Sequence, residues 1–254
     1  AFYRTVYESI PYIYTITSSD YLNLEKIVRP HHGPRIRVLG NPRYDEVKSQ
    51  ADQFTERHTI SVLLRTQRLV VGSVWPEDQA VIIEPILTLL KMYPALKLLW
   101  VPHEPSDKYV QKIARLFETA DLELSYYKSR KIKKIPDTKV VIVTSVGVLS
   151  RLYWQGQFAY VGGGFSTGVH NVMEPAIARL PVFFGPKNQN SPEAQALIDA
   201  GGGQAITRGE EFYTAISRLL EDKNAFLAAS LAATDVIHKN LGSATRVVRS
   251  ILRD

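Results

Sequence analysis

Along the first sixty positions the apolar residues come in short runs separated by charged stretches. Pro11-Tyr-Ile-Tyr-Thr-Ile16 is aromatic and β-branched and predicts a strand. Ser18 or Ser19 can cap a helix reaching about Val28, and Arg35-Ile-Arg-Val-Leu-Gly40 predicts a second strand closed by Gly40-Asn-Pro42. Asp45 to about His58 is charged and weakly periodic, which suits a linking helix or loop. From Arg68 the rhythm becomes regular. Arg68-Leu-Val-Val-Gly-Ser-Val74 predicts a buried strand, Glu77 to Tyr93 a helix that Pro85 should kink or break, and Leu96-Lys-Leu-Leu-Trp-Val101 the next strand. Ser106 to Ala120 places Val110, Ile113, Leu116 and Phe117 on one helical face, and Leu122 to Tyr127 and Val140 to Thr144 predict strands. A strand ending at Val161, a helix over His170 to Arg179 and an apolar run at Leu180 to Pro186 follow. Beyond them the pattern predicts a helix over Ser191 to Ala200, a strand over Gln204 to Thr207, and helices over Glu210–Asp222, Ala225–Lys239 and Ser243–Leu252. Alternating strands and helices predict an α/β, Rossmann-like parallel sheet with helices on both faces, whose binding residues sit just past the carboxyl ends of strands.

Composition narrows the class. With 254 residues, 45% of them hydrophobic, the chain can form one large or two small domains. No apolar run reaches the 18 or so residues of a membrane-crossing helix. The absence of cysteine removes disulfides and thiolate metal sites, so a packed core must supply the stability. Glu25, His31 and His32 are scattered and no H-E-x-x-H pattern occurs, which argues against a zinc site. A net charge of +6 favours anionic partners. The densest basic run, Lys128-Ser-Arg-Lys-Ile-Lys-Lys134, reads either as a solvated loop or as an attraction to an anionic membrane surface. Interleaved aromatics of the kind that bind nucleic acid are missing from it.

The most informative stretch is Val161-Gly-Gly-Gly-Phe-Ser-Thr-Gly-Val-His-Asn-Val-Met-Glu-Pro175. Gly162, Gly163, Gly164 and Gly168 let the backbone approach a ligand closely, and the start of the following helix favours an anion. Glu174 lies about one turn after His170 and Asn171, so the three can face one crevice. A plain βα turn whose glycines only relieve strain would share the Gly-Gly-Gly run, but not the full Gly-x-His-Asn-x-x-Glu-Pro pattern.

At these residues the chain resembles the Kdo transferases, which add 3-deoxy-manno-octulosonic acid to a lipid A precursor from a CMP-sugar. Their V-G-G-S, G-G-H-N-P-L-E-P, G-K-P-V and F-G-P series is matched by Val161–Gly164, Gly168–Pro175, Leu180–Val182 and Phe184–Pro186. Gly40-Asn-Pro-Arg-Tyr-Asp45 stands where the family has G-N-x-K-F-D. The resemblance starts well inside the family pattern, so the chain looks like the C-terminal part of a longer enzyme. It implies a two-domain GT-B glycosyltransferase: residues 1–44 the end of an N-terminal acceptor-side α/β domain, 45–59 a linker, 60–240 the nucleotide-sugar domain and 241–254 a crossing helix. It further implies CMP-Kdo as donor with no cofactor or metal, a lipid A precursor as acceptor, a peripheral place at the cytoplasmic face of the bacterial inner membrane, and a catalytic base in the N-terminal domain, which would leave this chain inactive alone.

The residues expected to hold the donor are Ser73, Trp75, His103, Glu104, Gly147, Gly163, Gly164, Gly168, His170, Asn171 and Glu174. On the resemblance, His170 and the glycine loop meet the phosphate and Glu174 the ribose hydroxyls. Three motifs depart from the family. Val74 and Trp75 replace Thr and His of S-T-H-E-G-E-E, His103-Glu104 replaces Arg-His of V-P-R-H-P, and Thr144-Ser-Val-Gly-Val-Leu149 lacks the acidic residues of D-T-x-G-E-L. A UDP-sugar transferase and a nucleotide-binding module without catalysis remain alternatives.

Overall fold

A computed structural model describes residues 2–29, 33–55, 61–129 and 134–253. His31, His32, the end of the linker at 56–59 and the centre of the basic run at 130–133 lie outside them. The chain divides into one unit of residues 1–50 with 238–254 and another of residues 51–237.

The first unit holds α1 (Phe2–Glu8), β1 (Tyr12–Thr15), α2 (Ser18–Glu25), β2 (Arg35–Val38) and most of α3 (Arg43–Thr55). β1 and β2 pair in parallel, Tyr12 opposite Arg35 and Thr15 opposite Val38, completing the expected βαβ piece. The cap of α2 is Thr17 and not Ser18 or Ser19: its hydroxyl accepts from the Asp20 N–H at 3.1 Å while the Asp20 carboxylate accepts from the Thr17 N–H at 2.9 Å. The C-terminal helix Ser243–Ile251 belongs to this unit, anchored by the Asp45 carboxylate, which accepts from the N–H groups of Gly242 (2.6 Å) and Ala244 (3.0 Å).

In the second unit, β3 (Arg68–Val74), α4 (Pro76–Met92), β4 (Lys97–Pro102), α5 (Asp107–Thr119), β5 (Leu124–Tyr127) and β6 (Val140–Val143) make one half of a sheet. A turn of helix at α6 (Leu149–Leu152), which the apolar pattern does not signal, leads to β7 (Phe158–Val161), α7 (Met173–Ile177), β8 (Val182–Phe184), α8 (Pro192–Ala200), β9 (Gly203–Ala205), α9 (Gly209–Glu221) and most of α10 (Lys223–Lys239). The seven strands run parallel in the order β5-β6-β4-β3-β7-β8-β9. Helices cover both faces, so β4, β6 and β7 are apolar almost without interruption and their side chains are buried. Fully burying residues such as Leu69, Ile82 or Phe158 contributes about 1.5–3 kcal/mol each.

Pro85 does not break α4, which runs through it to Met92. Its neighbourhood is adapted instead: Gly209 packs without a side chain against the Pro85 ring and the Val81 carbonyl, the acceptor a proline at this position leaves without its helical donor. The chain builds outward from β3 to β4, β6 and β5, then returns to the other side of β3 to lay down β7, β8 and β9. That reversal opens a crevice at the carboxyl ends of β3 and β7.

Candidate functional site

At the end of β3 the register shifts between Gly72 and Val74, and Ser73 adopts a left-handed φ of 53°. Gly72 is required here because a Cβ would strike the Tyr153 hydroxyl and Leu149. Across the crevice, Gly162 follows β7 with its Cα against the Ser73 carbonyl, and Gly164 lies against the Gly185 backbone. These close approaches bring the ends of β3, β7 and β8 together. Beside the ends of β3 and β7 lies an open cavity of about 300 Å³ lined by Ser73, Gly147, Leu149, Ser150, Tyr153, Val161, His170, Asn171 and Glu174. A second cavity of about 280 Å³, at the amino ends of β8 and β9, has Arg218 as its only ionisable lining residue and lies away from the glycine stretch.

The glycine loop holds an anion, but one that the chain itself supplies. Asp78, fully buried in the first turn of α4, accepts from the Gly163 N–H at 2.7 Å and the Trp75 N–H at 3.1 Å through Oδ2, and from the Tyr160 hydroxyl at 2.9 Å through Oδ1. The Gly163 N–H expected to meet a phosphate is therefore occupied. Burial, and then the charge of Asp78, pushes the Tyr160 hydroxyl upward, so it stays a donor. Asp78 is not among the residues expected at the site. The signal was its place three residues after Trp75 at the end of a strand, the spacing at which a carboxylate caps the helix start.

The helix predicted from His170 starts only at Met173, because the Asn171 side chain accepts from the Met173 N–H at 3.0 Å and turns the chain first. His170 and Asn171 thus precede α7 and are held by the loop, with the His170 N–H donating to the Gly162 carbonyl. Asn171 Nδ2 also donates to Glu174 Oε1 at 3.1 Å, which orients that carboxylate at the cavity wall. Tyr153 also lines the cavity, and its hydroxyl is pushed well up by burial and further by the Glu174 charge, so it stays protonated.

Three aromatic residues from three motifs meet beside the cavity. Trp75 Nε1–H donates to His170 Nε2 at 2.8 Å, the two rings lie within 6° of parallel, and His103 stacks on both at centroid distances of 4.3 and 4.7 Å. An indole N–H can only donate, so the neutral His170 carries its proton on Nδ1. Burial lowers the His170 pKa, the adjacent His103 lowers it further, and Asp78 partly opposes both.

Of the predicted residues, Ser73, Gly147, His170, Asn171 and Glu174 line the cavity, while Trp75 and His103 brace His170. Gly163, Gly164 and Gly168 shape the loop; Gly168, at φ 126°, packs against the Asn190 side chain. Glu104 is exposed and does not line the cavity. Among the described residues, no group of three or more His, Cys, Asp or Glu is placed to hold a metal ion. No helix among them is long and apolar enough to cross a membrane.

No protein-family model matches the chain. Among curated proteins it is 32% identical over 180 residues to the 3-deoxy-D-manno-octulosonic acid transferase of Chlamydophila psittaci, covering 68% of this chain and 40% of that protein. The enzyme of the same name from Haemophilus influenzae is 25% identical over 224 residues, covering 84% of this chain and 50% of the relative. The chain thus spans half or less of the length of these two relatives. Among solved structures, the C-terminal CMP-Kdo binding domain of WaaA from Acinetobacter baumannii superposes with a TM-score of 0.59 at 20% identity, covering 76% of this chain and 98% of that one. UDP-GlcNAc 2-epimerase from Neisseria meningitidis, bound to UDP-GlcNAc, gives a TM-score of 0.61 at 14% identity over 96% of this chain and 61% of that one. These likenesses show a Rossmann-like α/β fold of the GT-B type. Similarity to these transferases along most of its length, on the matching fold, places the chain in the 3-deoxy-D-manno-octulosonic acid transferase family.

Proposed function

We propose that this chain supplies the nucleotide-sugar site of a transferase that moves Kdo from CMP-Kdo to a hydroxyl of a lipid A precursor, with inversion at the anomeric carbon. The observation that carries the proposal is the cavity at the β3–β7 reversal, which Glu174, Tyr153 and His170 all line. The names of the relatives and of the superposed binding domain support the donor chosen.

On this reading Glu174, oriented by Asn171, accepts from ribose hydroxyls. His170, its Nε2 engaged by Trp75, donates from Nδ1 to a phosphate oxygen. In transfer the acceptor oxygen bonds to the anomeric carbon as the bond from that carbon to the phosphate oxygen breaks. The electron pair leaves with CMP, and a fixed donor at that oxygen stabilises the charge as it develops. The acceptor proton passes to a base outside the residues described. The reading calls for no metal ion. It also places the enzyme peripherally at the cytoplasmic face of the bacterial inner membrane, where its net charge of +6 would favour an anionic surface.

Calorimetric titration with CMP, UMP and UDP tests the proposal. CMP is expected to bind tightest, in the micromolar to millimolar range or about −4 to −8 kcal/mol, with or without chelator. Equal affinities, or none, would overturn the donor assignment, and preference for UDP would point to a UDP-sugar transferase.

A further inference from the structure

We infer that Asp78 is the positioning residue of this site: one buried carboxylate holds both Trp75 and the loop that carries His170, and so sets the contact between them. The inference rests on the proposed nucleotide site and names the device that shapes it.

A carboxylate with no exposed surface is costly unless its oxygens are satisfied. Among the described residues no ion pair involves Asp78; its partners are neutral donors from two separate stretches, the end of β3 and β7 with the loop after it. Oδ2 takes the Trp75 N–H at the end of β3 and the Gly163 N–H after β7, and Oδ1 takes the Tyr160 hydroxyl within β7, with the Phe165 N–H farther off at 3.4 Å. The two residues tied through Oδ2 lead directly to the site. Trp75 carries the indole that reaches His170 Nε2. Gly163 and its neighbour Gly162 carry the loop: the Gly163 carbonyl accepts from the Gly168 N–H, and the Gly162 carbonyl accepts from the His170 N–H. Donor and acceptor of the Trp75–His170 bond are therefore both hung from Asp78, although the carboxylate touches neither ring nitrogen.

A helix cap alone would require only the Trp75 N–H. Reaching Gly163 with the same oxygen links α4 to the glycine loop, and this loop has the Cα of Gly163 beside the His170 ring, where a Cβ would come within 2.9 Å of Cδ2. Withdrawing the acceptor leaves the buried Gly163 N–H and the half-buried Trp75 N–H without this partner and lets the end of β3 and the loop move independently, so the indole and imidazole lose their common frame.

The test compares Asp78→Ala with Asp78→Asn, which can keep an oxygen toward Trp75 and Gly163 while its amide donates to the Tyr160 hydroxyl. Two readouts are taken on the whole chain: the Trp75 indole Nε1–H resonance, assigned by its loss in Trp75→Phe, and CMP affinity. The expected result is a displaced indole resonance and at least tenfold weaker CMP binding in Asp78→Ala, with the asparagine variant keeping the wild-type resonance. An alanine variant that is less stable but has the wild-type resonance and affinity would show Asp78 to be structural only. A resonance displaced as far by asparagine as by alanine would also overturn the inference, and the asparagine variant alone decides should alanine prevent folding. If the wild-type chain binds no CMP, the donor assignment fails, while the indole resonance still tests Asp78.

Discussion

Trp75 and His170, ninety-five positions apart, share a 2.8 Å hydrogen bond in nearly parallel rings, and His103 lies stacked against both. The bond exists only while Nε2 is unprotonated. Trp75→Phe removes the donor that favours the neutral ring, so the His170 pKa should rise from its lowered value, as read by following its ring protons in an NMR titration.

The same residue gives stability a pH dependence of known sign. A histidine whose folded pKa is held below the unfolded value of 6.5 binds fewer protons when folded, so stability is full above about that pH and falls as pH drops toward the lowered value. His170→Gln should flatten the denaturation free energy across this window. An unchanged slope would show that another group controls it.

Glu174→Gln keeps the partner of Asn171 and the shape of the wall but removes the charge. If the carboxylate accepts from ribose, CMP binding should weaken by about 1.5–3 kcal/mol, roughly 10- to 150-fold, in calorimetry. Unaltered affinity would remove Glu174 from the nucleotide site.

Two glycines separate steric from conformational demand. At Gly147, φ is 77° and a Cβ would meet nothing within 4 Å, so Gly147→Ala should cost only the left-handed backbone penalty of about 1–2 kcal/mol. At Gly162 a Cβ would overlap the Ser73 carbonyl and approach Asp78, and Gly162→Ala should cost roughly 3 kcal/mol through forced displacement. Denaturant midpoints of the two variants check the order.

In the first unit, burial works against ionised Asp45, but N–H donation from Ala244 and Gly242 outweighs it and holds the carboxyl below its ordinary value of 3.8. Its stabilisation is present above that pH and lost as pH falls through the lowered value. Asp45→Asn should remove this acid-side dependence and cost about 1 kcal/mol at neutral pH, measured by denaturation with the pH varied.

Much of the fold was legible in the sequence because its causes are local. Runs such as Val140–Val143 and Leu98–Val101 are apolar on both faces, which only a covered parallel strand requires, and Ser106 and Ser191 cap α5 and α8 where their sequence positions say they should. That Ser73, Trp75, His103, Gly147, His170, Asn171 and Glu174 come together was legible for a related reason: in a parallel sheet, residues at the carboxyl ends of strands gather at one edge whatever the order of the strands.

What tertiary structure alone decided is how those residues use one another. Read from sequence, Gly162–Gly164 invites a phosphate, His170 begins a helix, and Pro85 interrupts one. In the fold, Asp78 fills the loop, Asn171 delays the helix to Met173, and α4 continues past Pro85 with Gly209 packed against it. Each outcome is a competition for a hydrogen-bond donor or for space, settled by a group elsewhere in the chain or by a turn's side chain. A propensity records what a segment favours in isolation; the Gly163 N–H was claimed by the buried carboxylate of Asp78, eighty-five residues away.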